Sequence, residues 1–90
     1  VLPYSRLNSL YIYNSLADYI GAIQDYSKAI ELDPDNPQVY CLRGDAKNGL
    51  GDRRGAIQDY DKAIEIDPDY TMAYNNRGIA KVNLDDEAGA

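Results

Sequence analysis

Gly21–Asp35 reads GAIQDYSKAIELDPD, and Gly55–Asp69 reads GAIQDYDKAIEIDPD. The two stretches differ only at Ser27/Asp61 and Leu32/Ile66, and they stand 34 residues apart. Carried along the chain, that offset aligns Leu16 with Leu50 and Leu84, Asp18 with Asp52 and Asp86, and Gly21 with Gly55 and Gly89. It also sets Tyr40 over Tyr74, Arg43-Gly44 over Arg77-Gly78, and Ala46-Lys47 over Ala80-Lys81. A fixed period of this length marks a repeat architecture, in which each unit buries its apolar face against its neighbours. The chain divides into a unit at residues 3–36, a unit at 37–70 and part of a third at 71–90.

Each unit reads as two helices. In the second, Tyr40, Gly44, Ala46 and Leu50 form a short stripe rich in small residues. Beyond Gly51-Asp52, residues Ala56, Ile57, Tyr60, Ala63 and Ile64 recur at helical spacing. Gly51 is suited to the left-handed conformation that ends a helix, and Asp52 to capping the next. Asp67-Pro68 closes the second helix, because a residue before proline is pushed out of the helical region. Asn36-Pro37 starts the unit, with Asn36 as cap and Pro37 in the first helical position. Ala17 and Asp85 stand where the second unit has Gly51. Both units are expected to turn there, the first under strain, since Ala tolerates left-handed geometry poorly.

These residues resemble the tetratricopeptide repeat, a helix–turn–helix unit whose period is 34 residues. The family's small residue in the first helix matches Gly44 and Gly78, and its preceding aromatic matches Tyr40 and Tyr74. Its alanine, aromatic, alanine and proline of the second half match Ala22, Tyr26, Ala29 and Pro34, then Ala56, Tyr60, Ala63 and Pro68. The resemblance implies an all-α, right-handed superhelical solenoid of antiparallel helix pairs, about five helices in about 2.5 units. The chain departs from the family where a leucine and a second aromatic are usual: Arg43 and Lys47, then Arg77 and Lys81, stand there. Their aliphatic stems are expected to pack while their heads reach water or second-helix carboxylates such as Asp25 and Asp59. The first helix fits least. The 34-residue offset sets Leu10 at the small position and Arg6 at the aromatic one, while a register shifted by two puts Tyr4, Leu7 and Tyr11 on the core stripe.

Composition excludes much chemistry. The chain of 90 residues has no histidine, no tryptophan, no phenylalanine, one cysteine and nine tyrosines. Nucleophile–histidine catalysis and histidine-held zinc or haem are therefore excluded. One cysteine forms no internal disulfide, so a single small domain must stand on its core, and a reducing, cytoplasmic setting is expected. No stretch reads as a signal or membrane-spanning segment. The net charge of -6 opposes a phosphate backbone or an anionic membrane. Asp33-Pro34-Asp35-Asn36 opens like a calcium loop but lacks its glycine and distal glutamate. The repeated carboxylate pairs Asp33/Asp35 and Asp67/Asp69 read as helix-end turns, and the Gly-Ala-Ile elements as packing sites with no phosphate-loop Gly-Lys-Ser/Thr behind them. No enzyme activity, metal or cofactor is expected.

By the resemblance, the first helices line a concave groove that holds extended peptides or helices of partner proteins. The groove residues it implies are Gln38, Cys41, Asp45 and Asn48 from the second unit, with Met72, Asn75, Ile79 and Asn83 from the third. Tyr11 and Asn14 come from the first, subject to its register. Amides pair with both donors and acceptors of a peptide backbone, and Met72, Ile79 and Tyr11 offer apolar points. A subgroup of the family clamps the carboxylate of chaperone tails with Lys, Asn and Arg. Leu7, Tyr11, Leu42, Met72 and Asn76 stand in those places, so chaperone C-terminal tails are disfavoured. An RNA-binding helical repeat of the pentatricopeptide kind fits less well in period and motif. The first alternative is a self-associating structural segment, stacking end to end or exchanging helices, because neither end of the chain looks like a polar cap. The missing initiator methionine and the mid-motif ending point to a fragment of a longer array.

Overall fold

The computed structural model describes the backbone of residues 2–89 and the side chains of residues 15–89. It is all-helical: α1 (Leu2–Leu32), α2 (Pro37–Gly49), α3 (Arg53–Ile66) and α4 (Thr71–Gly89). Packing follows chain order, with α1 on α2, α2 on α3 and α3 on α4, and a smaller contact between α2 and α4. No described helix is long and apolar enough to cross a membrane.

The helix boundaries follow local chemistry. Asn36 caps α2, its side chain accepting from the Gln38 backbone N–H at 3.1 Å, and Pro37 follows in the first turn. Asp52 caps α3 by accepting from Gly55 N–H at 3.0 Å. Between them, Gly51 has a φ of 91°, the one positive value among the described residues. Its N–H donates to Asn48 O at 3.0 Å, and Asp52 N–H donates to Lys47 O at 2.9 Å. This paired closure satisfies carbonyls that a helix end leaves orphaned. At the unit ends, Asp33 and Asp67 each accept from the backbone N–H two residues on, at 3.3 and 3.1 Å. The repeated Asp-Pro-Asp carboxylates close these turns.

Four helices replace the expected five. At Ala17 and Asp85, where the second unit turns on Gly51, α1 and α4 run straight through. The strained first turn does not form. A non-glycine residue in the left-handed region costs roughly 1–2 kcal/mol, and only contacts made by folding back could repay it. Gly51→Ala is accordingly expected to destabilise the fold by about 1–2 kcal/mol. Urea unfolding would show it as a lowered midpoint at unchanged slope; an unshifted midpoint would contradict the account.

The core sits among α2, α3 and α4. Ala56, Tyr60, Ala63, Ala73 and Ala80 are 0% exposed, with Tyr40, Cys41 and Ala46 also buried. Ile57 and Ile64 pack against it from the margin, as does Ile30 of α1. Small residues dominate because the helix axes approach closely. At Gly44 a Cβ would stand 2.7 Å from the Tyr60 ring and 3.1 Å from the Ala56 carbonyl. Gly49 likewise lies hard against the ring of Tyr19, which seats α1 on α2.

Candidate partner-binding groove

α2 and α4 are the first helices of the second and third units, and they lie side by side across a narrow cleft of about 160 Å³. Asp45, Asn48, Tyr60, Asn76 and Ile79 line it. A broader, more open depression of about 470 Å³ continues over α4, lined by Tyr74, Asn75, Gly78, Ile79, Val82 and Asn83. The expected residues Asp45, Asn48 and Ile79 are thus brought together in the first hollow, and Asn75, Ile79 and Asn83 in the second. Ile79 joins the two and is 51% exposed. Gln38 and Met72 are exposed near the start of their helices, outside both hollows. The side chains of Tyr11 and Asn14 lie outside the described residues.

Cys41 is a correction. It is 2% exposed and belongs to the core cluster, so no partner can touch it directly. Asn76 stands over it, Nδ2 lying 3.9 Å from Sγ, and Tyr70 packs against the same cluster. Burial, then the charge of Asp45, pushes the Cys41 thiol from 9.0 up to about 11. Burial also raises the Tyr60 phenol, and its hydrogen bond to Asp45 adds to the rise. Both groups hold their protons in the folded chain where the unfolded chain releases them. That contribution to stability is complete below pH 9, and for the thiol it is lost as the pH rises from 9.0 to about 11. Urea midpoints should therefore hold steady up to pH 9 and fall beyond it, and Cys41 should resist thiol reagents until the chain opens. Rapid labelling of the folded protein at neutral pH would contradict this.

The floor of the cleft is a polar network that sequence reasoning did not include. The Tyr60 hydroxyl donates to Asp45 Oδ1 at 2.6 Å, and Asn76 Nδ2 donates to the same oxygen at 2.9 Å. Asp45 is thereby held in place, although its residue stays exposed. Asn48 is held from the other side, its Oδ1 accepting from Arg53 Nη1 at 2.7 Å while its carbonyl also accepts from Arg53. Arg53 in turn pairs with Glu87 at 3.0 Å, tying the end of α4 to the start of α3. Asn76 could have been noticed from the repeat alone, because it replaces the apolar Leu42 at the 34-residue offset.

The basic residues at the family's apolar places face away from this cleft. Arg43 grips Asp59 with two bonds of 2.8 Å, and Lys47 Nζ adds a third at 3.1 Å. Asp59 is buried at 4% exposure, so its charge is matched where water cannot reach it. The Arg43 guanidinium also lies 5.7 Å from the Tyr40 ring centre and donates to Ser27 Oγ at 3.1 Å. Its charged form is favoured by the bond to Asp59, which raises its pKa. In the third unit Arg77 repeats the stacking over Tyr74 at 5.3 Å and pairs with Asp61 at 2.7 Å. The expected carboxylate contact is therefore made at Asp59, while Asp25 is exposed and forms no ion pair among the described residues.

Among the described residues no three His, Cys, Asp or Glu side chains converge as metal ligands would. A comparison with curated proteins finds no match. A family model of the TPR repeat matches residues 11–51 and again residues 44–85. With its period, its capped helix pairs and its buried Ala-Tyr-Ala stripe, the chain belongs to the tetratricopeptide-repeat family.

Proposed function

We propose that the chain is a non-catalytic protein-interaction module, and that it takes an extended peptide or a helix of a partner along α2 and α4. Repeats of this family serve in general as protein-binding units. The observation that carries the finer reading is that Ile79 lines both hollows, with amides beside this apolar point. Asn48, Asn75 and Asn83 can bond a peptide backbone in either sense, while Ile79 takes a side chain. In this reading the helix pairs coil as a right-handed superhelix with the groove on its inner side. A chaperone tail carboxylate is a poor occupant. Leu42 and Met72 offer it no charge, and Asn76 already donates to Asp45. Nucleic acid is a poor occupant for the net charge of -6. The single free cysteine suits a reducing, cytoplasmic setting.

The test uses peptides selected from a random displayed library against the whole chain. Replacing Asn75 with Ala and Ile79 with Ser, both exposed, should weaken the selected peptides at least about tenfold, the loss of one anchor and its hydrogen bonds. Undiminished binding would place the partner elsewhere.

A further inference from the structure

We propose that the partner segment carries a lysine whose ammonium binds Asp45 in the cleft between α2 and α4, while an apolar side chain of the same segment covers Ile79. This assignment rests on those two helices forming the binding groove. It gives the occupant a charge and a spacing.

Among the described residues, Asp45 is the one charged side chain that lines either the cleft or the depression over α4. The cations that flank it on α2 are turned away, because Arg43 and Lys47 hold Asp59. On α4, Arg77 holds Asp61, and Lys81 lines neither hollow. Arg53 bonds Asn48, and its charge is matched by Glu87. No ion pair reaches Asp45 among the described residues. Burial raises the Cys41 thiol, and the unanswered charge of Asp45 raises it further. The net charge of -6 adds a general attraction for a basic segment.

The two oxygens of the carboxylate are not equivalent. Oδ1 accepts from the Tyr60 hydroxyl at 2.6 Å and from Asn76 Nδ2 at 2.9 Å, whereas Oδ2 has no partner among the described residues. Two donors fill the lone pairs of Oδ1 and hold the group in place. Little ordering is left to do when a cation arrives, which is the condition for a charge pair to favour binding. An arginine fork needs both oxygens for its paired bonds, and one is already taken. An ammonium is a compact charge that one acceptor satisfies. Asn48 spends its Oδ1 on Arg53, which leaves its amide nitrogen for a carbonyl of the segment.

The spacing follows from the repeat. Asp45 and Ile79 stand 34 residues apart, at the same place in consecutive units, and both line the cleft. At about 160 Å³ the cleft is too small to admit a helix, roughly 10–12 Å across, so the segment enters extended. In an extended chain the side chains on one face recur every second residue, which sets the lysine and the apolar residue two apart. Both walls of the cleft lie within the chain, between consecutive units, so its form does not depend on what precedes or follows them.

A random displayed peptide library, panned on the whole chain and in parallel on Asp45→Asn, tests the assignment. Asparagine keeps an oxygen for Tyr60 and Asn76, and the site is exposed, so the variant should match the parent in helical signal and melting temperature. Peptides from the parent should be enriched in a lysine two residues from an apolar residue; those from Asp45→Asn should not. Asp45→Asn should weaken a parent-selected peptide about tenfold, the lower end for close charge pairs. Replacing the peptide's lysine with glutamine should cost as much on the parent and nothing further on the variant. The Asn75→Ala, Ile79→Ser pair reports on the groove separately. Peptides weakened by that pair, yet not enriched in lysine, indifferent to Asp45→Asn or bound as tightly with arginine, would overturn the lysine assignment and leave the groove standing. Peptides indifferent to that pair, or no peptides at all, would overturn the groove and the assignment with it.

Discussion

Asp59→Ala is expected to lower the stability of the fold by about 3 kcal/mol, the scale for removing one partner of a buried ion pair. The side chain of Asp59 is 6% exposed, and it takes two bonds from Arg43 and one from Lys47. Those two cations are themselves about four-fifths covered, at 20% and 22% exposure, so neither can be fully rehydrated when the carboxylate is gone. By contrast, Lys28–Glu31 and Lys62–Glu65 are exposed pairs one helical turn apart. Their loss should cost well under about 1 kcal/mol. Asp25→Ala supplies the matched control, having the same local sequence with no ion pair among the described residues. For a domain of this size about 3 kcal/mol corresponds to a fall in melting temperature beyond about 10 °C. Thermal unfolding followed by circular dichroism would show Asp59→Ala far below Asp25→Ala; equal losses would mean the triad does not stabilise the fold.

The same comparison shows what can be read from sequence and what cannot. Helix pairs, caps and the Ala-Tyr-Ala stripe were legible because each is a local signal repeated in register. Asn36-Pro37, Gly51-Asp52 and Asp67-Pro68 all act where spacing placed them. The turns at Ala17 and Asp85 were misread for a physical reason. The repeat makes these residues equivalent to Gly51, yet a turn needs both a tolerant residue and a neighbour to fold onto. Neither requirement is visible from alignment of a unit with its twin. Register set the Arg43 and Lys47 heads toward water or second-helix carboxylates such as Asp25 and Asp59; both take Asp59, and Asp25 forms no ion pair among the described residues.

The groove was less legible than the core. Cys41 holds a position that the family resemblance sets in the groove, but Asn76 from farther along the chain stands over it and Tyr70 packs against the same cluster. Exposure of a groove residue depends on the size of its neighbours in the next unit, which a single-unit pattern does not encode. The binding of Asp45 by Tyr60 and Asn76 is of the same kind, since three different helices or units contribute. Ile79 was named through the family resemblance, which sets it at a groove-facing place of the third unit.

Tyr60→Ala should be the most damaging single change, at about 3–5 kcal/mol for an aromatic emptied from a core that cannot collapse onto the cavity. The ring is 0% exposed and rests on Gly44, whose lack of a Cβ is what admits it. Tyr60→Phe separates ring from hydroxyl. It removes the 2.6 Å bond to Asp45, but Asp45 is exposed and can turn to water, so a cost of only about 1 kcal/mol is expected. Tyr26→Ala makes the contrast with the repeat itself. Tyr26 occupies the same place in its stretch yet borders an open hollow of about 310 Å³ with Tyr19, Ala22 and Leu42. Its removal should therefore cost the fold much less than Tyr60→Ala. Urea unfolding of the two alanine variants measures the difference. Equal destabilisation would show that Tyr26 is packed as tightly as Tyr60. A large gap is the pattern this packing requires, because a ring that borders an open hollow leaves little new cavity when it is removed.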